Sequence, residues 1–336
     1  MREIISYLIL ATSLMYAQWF DIDQAGITRS YYISYPNDDI GPASLIINMH
    51  GFGSNAQEQQ LYSEMDQFAH SNNIAVVYPQ GFNNSWNVFT YWDASSYDDV
   101  QFIRSMIDDI SENFNIDLNR VYACGMSNGG YMAYRLACDL SDKITAFGSV
   151  TGNFMLQNVN SNDCIVQDRE IPIIHFHGTS DAIVNYFPPS FDQSLTVGES
   201  IDFWIAYNDL TTEIVESINS NVEIYTYSNE FSPTKFVHYK VYGGNHEWFG
   251  SNWAVNWGFN TSEELINFFL QYQLSDFIDN QLEGDINEDS FINIQDIILT
   301  INLVLNNQYN ILADLNSDET IDVLDIVQLV NIILSN

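Results

Sequence analysis

From about Ile27 to about Tyr272, short apolar runs alternate with amphipathic stretches. The runs Leu45–Met49, Ile74–Tyr78, Val121–Cys124, Phe147–Val150, Ile171–Phe176 and Phe236–Val241 are mostly rich in valine and isoleucine, and several are apolar almost without interruption. That pattern predicts strands covered on both faces. Asp99–Asn113 instead spaces Val100, Ile103, Met106, Ile107 and Ile110 three and four residues apart, which predicts a helix with one apolar face. Gly129–Ala137 and Ser262–Tyr272 behave similarly. Strands alternating with helices predict an α/β domain, a mostly parallel sheet wrapped by helices.

The pattern changes after Tyr272. From Ser275 to Asn336 there is no Lys or Arg, and acidic residues gather at two places. Asp285-Ile-Asn-Glu-Asp289 and Asp314-Leu-Asn-Ser-Asp318 form an internal repeat, each leading into an apolar helical run, Ile297–Leu305 and Ile326–Leu334. A second, small all-α domain is expected over 284–336, joined to the first by a linker at 275–283.

The first 17 residues are expected to be a signal peptide, leaving 18–274 as the large domain. Arg2 precedes an apolar run from Ile4 to Ala17 that is too short to span a bilayer comfortably. Export would admit disulfides. Cys124 lies in a strand-like run and is expected as a buried thiol, whereas Cys138 and Cys164 fall in polar surroundings and are expected to pair. The balance of 9 Lys plus Arg against 44 Asp plus Glu, a formal charge of −35, argues against nucleic acid and against membrane insertion. An acidic surface also serves solubility alone.

Candidate chemistry concentrates at strand ends. Gly125-Met126-Ser127-Asn128-Gly129-Gly130 follows a strand-like run and opens a helix. A sharp strand-to-helix turn needs small neighbours, and it lifts the serine hydroxyl to a helix N-terminus that favours a developing oxyanion. A serine needs an imidazole to take its proton. His246, in Gly243-Gly244-Asn245-His246-Glu247-Trp248, sits in a glycine-rich loop after the last strand of the domain. His70, His175 and His238 are expected to be structural, and His177 to support its loop. A carboxylate must orient the imidazole, and Asp181, in His177-Gly178-Thr179-Ser180-Asp181, follows a strand closely, unlike Asp192 and Asp202. The chain order Ser127, Asp181, His246 is the one expected for an α/β-hydrolase. The loop His50-Gly51-Phe52-Gly53 would supply the Phe52 N–H to an oxyanion hole completed by Asn128, unless its glycines only make a tight turn. Trp86, with Tyr91 and Trp92, and Trp248 are expected to line the substrate site, with packing under a long loop the alternative for the first three.

Residues from roughly Arg29 to Tyr272 resemble the secreted poly(3-hydroxybutyrate) depolymerases and feruloyl or acetylxylan esterases, the carbohydrate esterase family one group. The matching stretches are Arg29 through Pro36, His50-Gly51-Phe52-Gly53, Tyr78-Pro79-Gln80-Gly81, Asp98-Asp99-Val100, Gly125 to Gly130, His177-Gly178-Thr179 with Asp181, and Gly243-Gly244-Asn245-His246 with Trp248. The resemblance implies the α/β-hydrolase fold, a serine esterase without a catalytic cofactor, and Ser127, Asp181 and His246 as its triad. Cys138 and Cys164 look like that family's disulfide pair. Feruloyl or acetyl esters on polysaccharide are the first expectation for substrate and a polyhydroxybutyrate-type polyester the second. A non-catalytic binding or scaffold protein on a hydrolase fold is the reading from another class.

Each acidic repeat sets oxygen-bearing side chains at loop positions 1, 3, 5, 9 and 12. These are Asp285, Asn287, Asp289, Asn293 and Asp296 in the first, and Asp314, Asn316, Asp318, Asp322 and Asp325 in the second. A hard cation such as calcium takes six or more oxygens, and this spacing wraps a short loop around one. The pair of loops, each followed by a helix, resembles a dockerin type I domain. That resemblance implies two structural calcium ions and a cohesin-like or cell-surface docking partner.

Overall fold

The structure, a computed structural model, describes residues 16–24, 26–36, 41–92, 95–155, 169–190, 194–277, 284–287, 292–306, 308–316, 318 and 320–335. It divides into two compact units, Met1–Leu274 and Ser275–Asn336.

The described residues of the first unit build one ten-stranded sheet from β1 (Tyr16–Gln24), β2 (Ile27–Tyr35), β3 (Ala43–Met49), β4 (Ile74–Pro79), β5 (Ile116–Met126), β6 (Ala146–Val150), β7 (Ile173–Gly178), β8 (Thr212–Asn219), β9 (Val222–Ser228) and β10 (Lys235–Val241). Their spatial order is β1-β2-β4-β3-β5-β6-β7-β10-β9-β8. The six central strands, β4 through β10 in that order, run parallel, and an antiparallel pair closes each side. The apolar runs of the sequence become the parallel centre: every residue of β3, β4, β6 and β7 is buried. Sequence pattern did not pick out β1, β2, β8 or β9. Every residue of β8 is exposed, so the edge strand carries no continuous apolar signal. Strand β1 pairs with β2 from Tyr16 onward, two residues inside the expected leader, whose residues 1–15 lie outside the described residues.

Helices pack on the sheet: α1 (Ala56–Ser63), α2 (Asp66–Ala69), α3 (Asp99–Asn113), α4 (Asn128–Asp139), α5 (Val197–Tyr207) and α6 (Thr261–Phe269). Helix α3 occupies the residues its periodicity predicts and buries Phe102, Ile103, Met106, Ile107 and Ile110. Asp98 starts it by accepting from the Gln101 N–H at 3.0 Å, satisfying one otherwise orphaned donor. Beneath it, Arg29 donates to Asp99 at 2.6 Å with both side chains buried, and Asp99 also accepts from the Asn87 N–H and Ser95. This ion pair ties β2 to α3 and to the loop carrying Asn87. Cys124 is a free, buried thiol, and burial pushes its pKa up. Cys138 is disulfide-bonded, and its expected partner Cys164 lies outside the described residues.

The second unit contains the helices α7 (Ile294–Asn306) and α8 (Val323–Ser335). Gly284, at φ +97°, holds a backbone conformation that strains any other residue, and an added Cβ would also press on the Leu329 side chain at 2.6 Å. No helix among the described residues is long and apolar enough to cross a membrane.

Candidate active site

Four loops leave the C-terminal ends of parallel strands, all at the same edge of the sheet. They follow β3 with Phe52, β5 with Ser127, β7 with Asp181 and β10 with His246. In an open parallel sheet, ligands bind at that edge, outside the carboxyl ends of the strands.

Ser127 stands between β5 and α4 at φ 54°, ψ −118°, a conformation that costs a non-glycine residue on the order of 1–3 kcal/mol. Its N–H donates to Val150 O at 2.8 Å, and its carbonyl accepts from Tyr131 N at 2.9 Å, so both sides of the strained residue are held. The glycines around it are required by close approach. A Cβ on Gly129 would lie 2.2 Å from Met49 O, and one on Gly125 would lie 2.5 Å from the Gly129 carbonyl carbon.

The loop after β3 is clamped by two aromatic rings. His50 accepts from the Gly81 N–H at Nε2 (3.0 Å), so its proton sits on Nδ1, which donates to Gly51 O at 2.8 Å. Burial lowers the His50 pKa to about 4, and the clamp is neutral. Trp86 donates from Nε1 to His50 O at 2.9 Å, while its backbone N–H donates to Asn128 Oδ1 at 2.7 Å and its carbonyl accepts from Asn128 Nδ2 at 3.2 Å. Asn128 is the first residue of α4, where a backbone N–H has no partner within the helix. Trp86 therefore joins the two backbone segments from which oxyanion donors were expected. It is fully buried, so the expected substrate-lining role is corrected to a framework one.

Asp181 and His246, 65 residues apart, are joined by a hydrogen bond of 2.7 Å from His246 Nδ1 to Asp181 Oδ2. The other carboxylate oxygen accepts from the N–H groups of Ile183 (2.8 Å) and Val184 (2.9 Å). Burial of Asp181 opposes its ionisation, yet hydrogen bonds from His177 and His246 outweigh this and hold the carboxyl well below the usual carboxylate range. With Nδ1–H taken by the carboxylate, the lone pair of His246 Nε2 is the one available to a substrate-side proton.

Behind Asp181 runs a chain of buried rings. Tyr134 donates to His175 Nδ1 at 2.6 Å, His175 Nε2 meets His177 Nδ1 at 3.0 Å, and His177 Nε2 donates to Val184 O at 2.8 Å while lying 3.5 Å from Asp181 Oδ2. The arrangement satisfies every ring nitrogen with neutral imidazoles. Burial, with His177 and His238 nearby, keeps His175 well below the ordinary histidine pKa. His238, its pKa lowered to about 3 by burial, is bonded to His175 O and to Tyr186. These histidines are structural, as the sequence suggested.

Trp248 is the second correction. It is fully buried and donates from Nε1 to Ser262 at 3.0 Å, so it offers no face to a substrate. Five residues on in the same loop, Trp253 is 70% exposed, and Tyr91, expected near the substrate, is 73% exposed. Sequence reasoning missed Trp253, although a tryptophan among Gly250, Ser251 and Asn252 is a large apolar residue in a polar loop. Phe52 is exposed, with its ring edge-on to Trp92 at 5.6 Å.

A family model described as Phospholipase/Carboxylesterase matches residues 93–196. The chain is 26% identical over 243 residues, 69% of its length, to a bifunctional acetylxylan esterase/xylanase from Neocallimastix patriciarum. It is 30% identical over 164 residues, 47% of its length, to feruloyl esterase B from Piromyces equi. These alignments cover 34% and 30% of the relatives, so the chain spans about a third of their length. Among solved structures, an acetyl xylan esterase from Aspergillus awamori superposes with a TM-score of 0.56 at 13% identity, over 76% of this chain and 99% of that one. The chain has the α/β-hydrolase fold.

The acidic loops belong to the second unit. Asp285, Asp296, Asp314 and Asp325 are all buried. Asp296 accepts from the N–H groups of Ile286, Asn287 and Asn293, and Asp325 from those of Leu315 and Asp322. Each loop is thereby closed on its twelfth residue. Asp289 lies outside the described residues. Among the described residues no group of three or more His, Cys, Asp or Glu is drawn together as a metal cluster. The donor chemistry nonetheless fits a hard cation: oxygen ligands only, with buried carboxylates in a unit without a Lys or Arg.

Proposed function

We propose that this protein is a secreted serine esterase that releases feruloyl or acetyl groups from polysaccharide. The observation that carries the reading is the 2.7 Å bond between His246 and Asp181 at the sheet edge where Ser127 occupies its strained turn. In this mechanism His246 Nε2 takes the Ser127 proton as the hydroxyl oxygen attacks the ester carbonyl. The carbonyl oxygen, now negative, is met by the backbone N–H groups of Phe52 and Asn128. The tetrahedral carbon then expels the alcohol, which receives the proton from His246, leaving an acyl-enzyme. Water, activated by the same imidazole, hydrolyses it and restores Ser127. Asp181 stays ionised throughout and stabilises the imidazolium. The esterase relatives named above support an ester substrate on a plant-type polysaccharide.

The C-terminal unit, in this reading, is a dockerin-like module. Two calcium ions would neutralise its carboxylates, and it would tether the enzyme to a cohesin-like or cell-surface partner.

The test is hydrolysis of 4-nitrophenyl acetate together with covalent labelling by a fluorophosphonate. Ser127→Ala should abolish labelling and lower kcat by about a millionfold while leaving the thermal transition in place. A Ser127→Ala protein that still turns over the ester at more than a tenth of the wild-type rate removes the reading.

A further inference from the structure

Beside Ser127 a cleft of about 360 Å³ opens between α1 and the His246 loop. Its apolar walls are Leu61, Tyr62, Met126 and Trp253, with Gly51 at its inner end. Three polar side chains also line it: Ser54 donates to Glu58 at 2.8 Å within the cleft, and Gln59 donates to the buried Asn48 at 2.8 Å. What remains for a ligand is chiefly carbon surface.

Trp253 is held in place despite its exposure. Its Nε1 donates to Leu61 O at 3.2 Å. The preceding Asn252 donates to Glu64 through its backbone N–H (3.0 Å) and its side chain (2.5 Å), and the Trp248 N–H donates to Tyr62 Oη at 3.2 Å. From the other side the buried Glu247 accepts from the Val255 N–H at 3.1 Å and from Trp257 Nε1 at 3.3 Å. Six hydrogen bonds thus fix the loop that presents the ring. An exposed ring costs solvation, but one already held in place loses little further freedom when a flat ligand stacks on it.

We infer that this cleft is the acyl site and that Trp253 selects a flat, ring-bearing acyl group over acetyl. The inference rests on the esterase reading above and narrows it. An ester bound for attack has its carbonyl carbon at Ser127 and its oxygen toward the Phe52 and Asn128 amides. Its alcohol oxygen must face His246, which protonates it as it leaves. The cleft is lined by Met126 and Gly51, the residues immediately before Ser127 and Phe52, and not by His246. The substituent that enters it is therefore the one on the acyl side. An acetyl methyl would leave most of such a volume to water, which occupies about 30 Å³ per molecule. A phenylpropenoyl group reaches Trp253 and displaces that water.

The experiment compares methyl ferulate with methyl acetate, which share one alcohol, on wild-type protein, Trp253→Ala and Trp253→Phe. The ratio of kcat/KM for the two esters should fall about tenfold in Trp253→Ala and recover by more than half, on a logarithmic scale, in Trp253→Phe. A ratio within threefold of wild type in Trp253→Ala overturns the inference, since a loop that merely loses structure slows both esters alike. So does a wild-type enzyme that prefers methyl acetate. Absence of both activities and of fluorophosphonate labelling overturns the esterase reading itself and this site with it.

Discussion

The two units treat buried negative charge in opposite ways. Among the described residues of the hydrolase unit, Asp99 meets the Arg29 guanidinium, Asp181 meets His246 with two backbone amides, and Glu247 accepts from the Val255 N–H and Trp257 Nε1. In the C-terminal unit Asp285, Asp296, Asp314 and Asp325 are buried with no basic side chain in the whole segment. Desolvating a carboxylate costs several kcal/mol unless an opposite charge or strong hydrogen bonds offset it. The first unit carries compensation within its own chain, and in the proposed reading the second takes it from cations in solution.

The sharpest way to break that contrast is to withdraw divalent cations. With chelator, the full chain should lose a separate calorimetric transition belonging to the C-terminal unit, and excess calcium should restore it. At about a thousandfold excess over Kd each ion would contribute roughly 4 kcal/mol. The hydrolase transition and ester hydrolysis should not respond. A single transition indifferent to chelator would erase the distinction.

Next in size is the acid of the self-compensated unit. Asp181→Asn keeps the shape but donates where the carboxylate accepted, turning the imidazole to the wrong tautomer. A loss of about ten thousandfold in kcat is expected at neutral pH. Measured kcat within tenfold of wild type would mean that the pair is structural.

Arg29→Met removes the cation and leaves Asp99 buried with only neutral donors. Chemical denaturation should show a loss of about 3–5 kcal/mol in the hydrolase unit. An unchanged midpoint would show that Asn87 and Ser95 suffice for Asp99.

The smallest effect comes from pH. His50 and His238 are buried neutral, with pKa values lowered to about 4 and about 3. The unfolded chain binds their protons from about pH 6.5 downward, whereas the native state binds them only near those lowered values. Stability is therefore complete above pH 6.5 and is lost as pH falls toward 4 and 3. Between pH 6.5 and 5.5 each costs roughly 1 kcal/mol, visible as a lower melting temperature. Flat stability across that interval would require that both rings be protonated in the fold. Asp181 adds nothing in this window, because its carboxyl is held below the ordinary range and its contribution disappears only in stronger acid.

Much of the hydrolase unit was legible because its architecture buries strands on both faces. Runs such as Leu45–Met49 and Ile171–Phe176 fall in β3 and at β7 and are mostly apolar because both faces are covered, and the polar residues inside them, Asn48 and His175, are buried with hydrogen-bond partners. The edge strands escaped notice because water on one side or both removes that constraint, as in the fully exposed β8. The Ser127 motif was visible through its glycines, whose absent Cβ atoms answer to contacts as short as 2.2 Å. Trp86 and Trp248 misled because a motif gives the position of a ring and not its direction.

The order and spacing of residues along the chain were enough to establish the alternating α/β pattern, the serine turn and the acidic repeats, and to single out Asp181 and His246 as candidates. These are local properties, set by backbone sterics and by the chemistry of single side chains. Tertiary structure alone decided which rings face the cleft, since Trp253 is presented by bonds to Leu61 and Trp86 is turned inward by Asn128 and His50. It also decided that Asp181 meets His246 across 65 residues. Such pairings depend on how strands far apart in the chain are ordered in the sheet, and that order is fixed by packing the whole core at once.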